Sequence, residues 1–180
     1  NALCRFYEIN KGDILFDGQS IKDINKFDLR KQIALVQQDV FLFSGKIIDN
    51  IRLGNVQMRE EEIQSISTAV NSHNFINNFP LKYEHKLIEG GGSISSGQKQ
   101  LLSFARALAV KPQILVLDEA TSSVDMDTER QIKNGIKEMT RGRTSIIIAH
   151  RLSTLMHVDK VLVLKNGRII EFGKRNELLQ

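Results

Sequence analysis

ILVLDEATSSVD, residues 114–125, is the stretch on which the fold turns. Its first four residues are apolar throughout and do not alternate, the pattern of a parallel strand covered on both faces. The run stops at two adjacent carboxylates, Asp118 and Glu119. In open α/β sheets ligands bind beyond the carboxyl ends of the strands, so polar residues that end such runs are candidate site residues. An acidic pair there has a plainer use as well, capping the next helix.

Runs of the same kind recur at 13–18 (DILFDG), 33–38 (IALVQQ), 145–150 (SIIIAH) and 160–165 (KVLVLK). Two of them also end on polar groups, Gln38 and His150. Three polar ends on neighbouring strands outweigh the capping explanation that would serve for one. Between the runs at 114 and 145, MDTERQIKNGIKEM (126–139) sets Ile132, Ile136 and Met139 on one stripe, with Asp125 or Asp127 available as a cap. This strand, helix, strand order is the parallel βαβ unit. Asn166-Gly167 lies between two strand-like runs and predicts a hairpin, so the sheet is expected to end in antiparallel strands.

Residues 39–110 differ. No strong strand run occurs there, whereas REEEIQSISTAV (59–70) and QKQLLSFARALA (98–109) are helix-like. The second helix opens at SISSGQ, where Ser95 and Gln98 are spaced as a capping box, and it must stop before Pro112. The expected architecture is an α/β core of about 1–38 and 111–180 with a mainly parallel sheet, interrupted by a helical subdomain over 39–110.

The bulk properties fit one globular domain: 180 residues, 41% of them hydrophobic, with a net charge of +4 from 25 basic and 21 acidic residues. The basic residues are scattered, the densest stretch being Arg141-Gly142-Arg143, so a solvated surface explains them better than a nucleic-acid patch. Cys4 is the single cysteine, which excludes an internal disulfide or a cysteine-based metal site. No apolar run approaches the ~20 residues that cross a bilayer. His73, His85 and His157 show no metal-ligand pattern and are expected at ordinary surface or core positions. NALCRFY (1–7) resembles the back end of a helix, and the chain is expected to be cut from something longer.

An apolar strand ending in Asp-Glu divides labour between its acids. The run resembles a Walker B arrangement, and since Mg²⁺ retains several waters and takes few carboxylates, Asp118 would act on the metal side and Glu119 would orient a water against a γ-phosphate. His150 at a neighbouring strand end would donate a hydrogen bond to that phosphate.

With ATSSVD directly following, 114–125 resembles the Walker B and D-loop run of ABC transporters, and SISSGQKQLLSFARAL (93–108) resembles their signature helix. VQQDVFLFSGKIIDNI (36–51) is similar to the family's Q-loop, IIIAHRLST (146–154) to its switch-histidine segment, and EGGGSISSGQ (89–98) to the E-x-G loop of exporters. Four separate motifs in family order make coincidence negligible. The resemblance implies a RecA-like P-loop NTPase core with an inserted helical subdomain, and ATP and Mg²⁺ as cofactors. It also implies site residues: Gln38 on Mg²⁺ or the attacking water, Asp118 on the metal, Glu119 as catalytic base and His150 as switch histidine. Ser95, Ser96, Gly97 and Gln98 form the signature that reaches the ATP of a second, facing domain, and Asp125 links the two facing sites. A hydroxyl, backbone amides and a helix amino end all suit an anionic phosphate.

Two departures from the family are plain. Ser96 stands where the usual LSGGQ signature has glycine, which tightens backbone approach and leaves the hydrolysis rate open. The sequence also nowhere contains G-x-x-x-x-G-K-[ST], the loop whose amides cradle phosphates. Family members carry that loop just before the segment seen here, so it is expected upstream, and these 180 residues alone are expected to bind ATP weakly or not at all.

Competing classes are an ABC-type ATPase of a nucleic-acid machine and a non-catalytic interaction fragment. Gln38 and Ser95 lie 57 positions apart, too few for the long coiled coil that DNA-repair members insert. Glu89-x-Gly91 and DVFLFSGKIIDNI instead resemble exporters. The expected partners are therefore a second nucleotide-binding domain and the transmembrane domain of the same transporter, with no nucleic acid, at the cytoplasmic face of a bacterial inner membrane. Val40, Phe41, Leu42 and Phe43 fit two roles equally, core residues or the lining of a groove that receives a short helix from the membrane domain.

Overall fold

The computed structural model describes residues 1–53, 55–118, 126–149 and 158–178. They fall into two compact units, Asn1–Ile147 and Ile148–Gln180. In chain order the first unit begins with β1 (Leu15–Phe16), β2 (Gln19–Ser20), α1 (Lys26–Lys31), β3 (Ile33–Val36) and β4 (Gly45–Lys46). It continues through α2 (Ile47–Arg52), α3 (Glu60–Ala69), α4 (His73–Asn77), β5 (Lys86–Leu87) and α5 (Ser96–Ala109). β6 (Ile114–Asp118), α6 (Met126–Thr140) and β7 (Thr144–Ile148) follow, the last reaching the boundary, and the second unit holds β8 (Lys160–Lys165), β9 (Arg168–Lys174) and α7 (Arg175–Leu178).

The central sheet has the order β3-β6-β7, with β3 and β6 parallel and Val36 opposite Leu117. β3 and β6 are covered on both faces, as their uninterrupted apolar sequences predict. Ala34, Val36, Leu115 and Leu117 enter the main core, while Ile33 faces the other way into a smaller cluster with Cys4, Ile21 and Leu29, against which Ile114 and Val116 pack. β7 differs from expectation. Ile147 packs against the main core, but Ile146 and Ile148 are each 45% exposed. β7 ends the strand order, and this face of it is left half exposed.

DILFDG is likewise no parallel strand. Leu15 and Phe16 pair antiparallel with Ser20 and Gln19 around the Asp17-Gly18 turn, and Leu15 is exposed. Asp17 and Gly18 both have positive φ, the geometry of the two-residue hairpin turn, and that turn chemistry overrides the apolar run. The hairpin predicted at Asn166-Gly167 is present, with Lys165 opposite Arg168 and both turn residues at positive φ. Its strands expose Leu162, Leu164, Ile169 and Phe172.

Residues 1–7 carry the hydrogen bonds that close a helix carboxyl end. Phe6 N donates to Asn1 O, Arg5 N donates to Ala2 O, and Arg5 takes the left-handed conformation at φ 50°. Two arginines stitch this segment to its surroundings. Arg5 donates to the carbonyls of Ile21, Lys22 and Ile24, and Arg30 to those of Cys4 and Arg5.

α5 is the central helix of the main core. Ser95 caps it, and from Gln100 to Ala109 every residue except Arg106 is buried. It touches α2, α3, α6 and β3. It stops at Ala109, before Pro112 as predicted, and Lys111 takes the left-handed conformation at φ 51°. α6 packs against it through the predicted stripe Ile132, Ile136 and Met139. Asp127 lies inside the first turn of α6 and is not its cap; Asp125 lies outside the described residues.

Candidate functional site

Parallel pairing in register sends the carboxyl ends of β3 and β6 to the same edge of the sheet. Asp118 ends β6 one residue past Leu117, and Gln38 follows β3 two residues past Val36. Gln38 is exposed and Asp118 half-buried, so both oxygens remain accessible to a ligand beyond the edge. The donor set is a carboxylate and an amide carbonyl, hard oxygen ligands that suit Mg²⁺. Among the described residues no three acidic, histidine or cysteine side chains cluster. A cation that keeps water and phosphate oxygens as most of its ligands needs no such cage, and the residues present fit one. Glu119 and His150, predicted beside them, lie outside the described residues.

The second group of predicted residues sits at the start of α5. Ser95 and Gln98 make the capping box in both directions: Gln98 N donates to Ser95 Oγ at 3.2 Å, and Ser95 N donates to Gln98 Oε1 at 3.1 Å. Ser95 and Ser96 are exposed and Gly97 is buried. Ser96, which replaces the usual glycine, is the first helical residue and is absent from the positive-φ positions, so its side chain costs no backbone strain. The α5 amino end thus offers free amide groups and hydroxyls to solvent, an arrangement that favours an anion. Just before it, Gly90 N donates to Leu42 O at 2.9 Å. Gly91 (φ 61°) comes so close to Leu42 that a Cβ there would lie 2.9 Å from its side chain. Glycine suits both this approach and the left-handed backbone.

DVFLF divides between the core and a groove lining. Leu42 is fully buried and Val40 packs against the core, while Phe41 and Phe43 are about half exposed, 49% and 50%. The two exposed rings meet edge to face at 5.1 Å and line a groove of about 470 Å³ with Leu53, Ala107 and Val110. One apolar run therefore alternates between holding the fold and presenting a surface.

Sequence reasoning missed the pair that fixes this wall. Arg106, within α5, donates from Nη1 to Phe41 O (2.9 Å), from Nε to Asn50 O (2.9 Å) and from Nη2 to Asn50 Oδ1 (3.1 Å). Burial pulls the Arg106 guanidinium below its ordinary value. The signal was available: a lone charge among the small apolar residues of SFARAL needs partners if its helix is buried. The histidines hold ordinary positions, His73 bonded to Tyr83 and Asn77, and His85 stacked on Phe79. His157 lies outside the described residues.

Comparisons with known proteins bear on this geometry. A family model described as ABC transporter matches residues 1–122. An uncharacterised ABC transporter ATP-binding protein of Bacillus subtilis, YfiC, is 46% identical over all 180 residues, which span 30% of its length. A multidrug export ATP-binding/permease protein of Staphylococcus aureus, named as such provisionally, is 45% identical over 99% of the chain and 31% of its own length. A solved bacterial Atm1-family ABC exporter with ATP bound superposes with a TM-score of 0.90 at 38% identity, over 98% of this chain and 31% of that one. The chain thus spans about a third of the proteins it matches. Its motifs, its P-loop NTPase-type α/β fold and these matches agree, and the chain belongs to the ABC transporter family.

Proposed function

We propose that this chain is part of the ATPase machinery of an exporter, which in the whole protein binds Mg-ATP and couples its hydrolysis to movement of a substrate across a membrane. The observation that carries this is the convergence of Gln38 and Asp118 at one sheet edge, set by the parallel register of β3 and β6. Asp118 would hold Mg²⁺, and Gln38 would contact the metal or the attacking water. When bound, Mg²⁺ neutralises charge on the transferring phosphate. Glu119 takes the water's proton and His150 donates to the γ-phosphate, both in roles drawn from the family resemblance. Ser95, Ser96, Gly97 and Gln98 serve the nucleotide of a facing second domain, with Asp125 linking the two sites, so that ATP closes the pair and hydrolysis reopens it.

The division into a core of 1–38 and 111–180 and a helical subdomain of 39–110 belongs to the same proposal, supported by four of the helices lying in the latter. The groove beside Phe41 and Phe43 would receive a helix of the membrane domain, and the chain would then work at a cytoplasmic membrane face. Among the described residues no helix is long and apolar enough to cross the membrane itself.

The test is Glu119→Gln in the whole protein that carries this chain. Hydrolysis should fall by about a hundredfold or more, while ATP binding persists and an ATP-bound dimer accumulates on gel filtration. Unchanged turnover would remove Glu119 from its role.

A further inference from the structure

Asn50 is 3% exposed, and its side chain uses all of its polar capacity inside the protein. Its Nδ2 donates to the carbonyls of Phe43 (2.9 Å) and Lys46 (3.2 Å), and its Oδ1 accepts from Phe43 N (2.9 Å) and from Arg106. Arg106 adds its bonds to Phe41 O and Asn50 O, and its guanidinium lies 5.9 Å from the centre of the Phe43 ring. The backbone of both groove aromatics is therefore tied through one amide and one guanidinium to α5. Their rings, half exposed, gain little from apolar burial. From Arg106 back to Ser95 the chain is helical, so about 16 Å of rigid rod joins the groove wall to the exposed serines.

We propose that Arg106, with Asn50, is a positioning residue that locks the Phe41 and Phe43 wall of the groove to the signature helix, so that force on the wall moves the α5 amino end. This rests on the export function proposed above. The planar fork of arginine is required. Three donors reach three oxygens on two backbone segments, whereas lysine offers one point charge.

The test uses the whole protein in membranes, with hydrolysis kinetics and hydrogen exchange read on the same samples. Arg106→Lys should lower kcat for ATP about tenfold while KM stays within about twofold, because nucleotide contacts are untouched. The Phe43 amide, bonded to Asn50 Oδ1, should exchange at least about tenfold faster, whereas the Lys99 amide, bonded to Ser95 O, should not change. Asn50→Ala cuts the same bridge from the other side and should give the same split, with the double variant no worse than either single one. If Arg106→Lys does not accumulate, Asn50→Ala carries the same readouts.

The proposal is overturned by unchanged kcat in a variant whose Phe43 amide is freed, by a KM that rises as much as kcat falls, or by exchange that rises equally along α5. The last result marks a merely structural arginine. Absence of hydrolysis in the unsubstituted protein is a separate result, which removes the export function and this role with it.

Discussion

The two ends of α5 are held by opposite means. At the amino end Ser95 and Ser96 are exposed, and the capping box that starts the helix is local, made by residues three apart. Further along, Leu101, Phe104, Ala105 and Ala109 are fully or almost fully buried, and Arg106 binds residues more than fifty positions away. The difference separates two tasks within one helix. The embedded part fixes the rod in the domain, while the exposed end keeps its amides and hydroxyls available for a ligand.

If that contrast is right, the largest stability loss should come from the embedded part. Phe104→Ala empties a fully buried site between α5 and its neighbours and should cost about 3–5 kcal/mol, read from the denaturant midpoint. Ser95→Ala removes one local cap and should cost only about 1 kcal/mol. Equal costs for the two would break the contrast. The smallest effect concerns a surface pair at the far end of the helix, where Lys111 Nζ meets Glu62 Oε1 at 3.0 Å. Lys111 holds the Glu62 carboxyl below its usual range, helped by the Arg59 amide. A depressed carboxylate contributes stability that is present above its unfolded pKa and is lost as pH falls through the folded value. Lys111→Gln should therefore lower the melting temperature slightly at neutral pH, with the difference from the unsubstituted protein vanishing as pH falls from about 5 toward 3.

Much of this architecture was legible in the sequence because it depends on local chemistry. The capping box, the stop before Pro112, the stripe on α6 and the Asn166-Gly167 turn each involve residues a few positions apart. The pairing of β3 with β6 was legible too, because both are apolar throughout and both end in polar groups. What stayed hidden depended on neighbours. DILFDG has the composition of a buried strand, but its own turn folds it into a hairpin. SIIIA has the same composition, but one of its faces is less covered and leaves two isoleucines half exposed. At the candidate site, the strand ends and the α5 cap stood out as candidates in the sequence, whereas the Asn50 and Arg106 bridge joins residues 56 positions apart with no motif to announce it. DVFLF could be either core or surface in sequence terms, because only three-dimensional packing decides which alternate side chain faces in.

The arginines that clasp carbonyl oxygens also change how the charge of this protein should be counted. Arg5, Arg30 and Arg106 together cover seven backbone carbonyls. The negative ends of those dipoles lie against the guanidinium groups and offset their outward field. The formal +4 is unchanged, but close to these three arginines a polyanion meets a weaker local field than bare guanidinium groups would present.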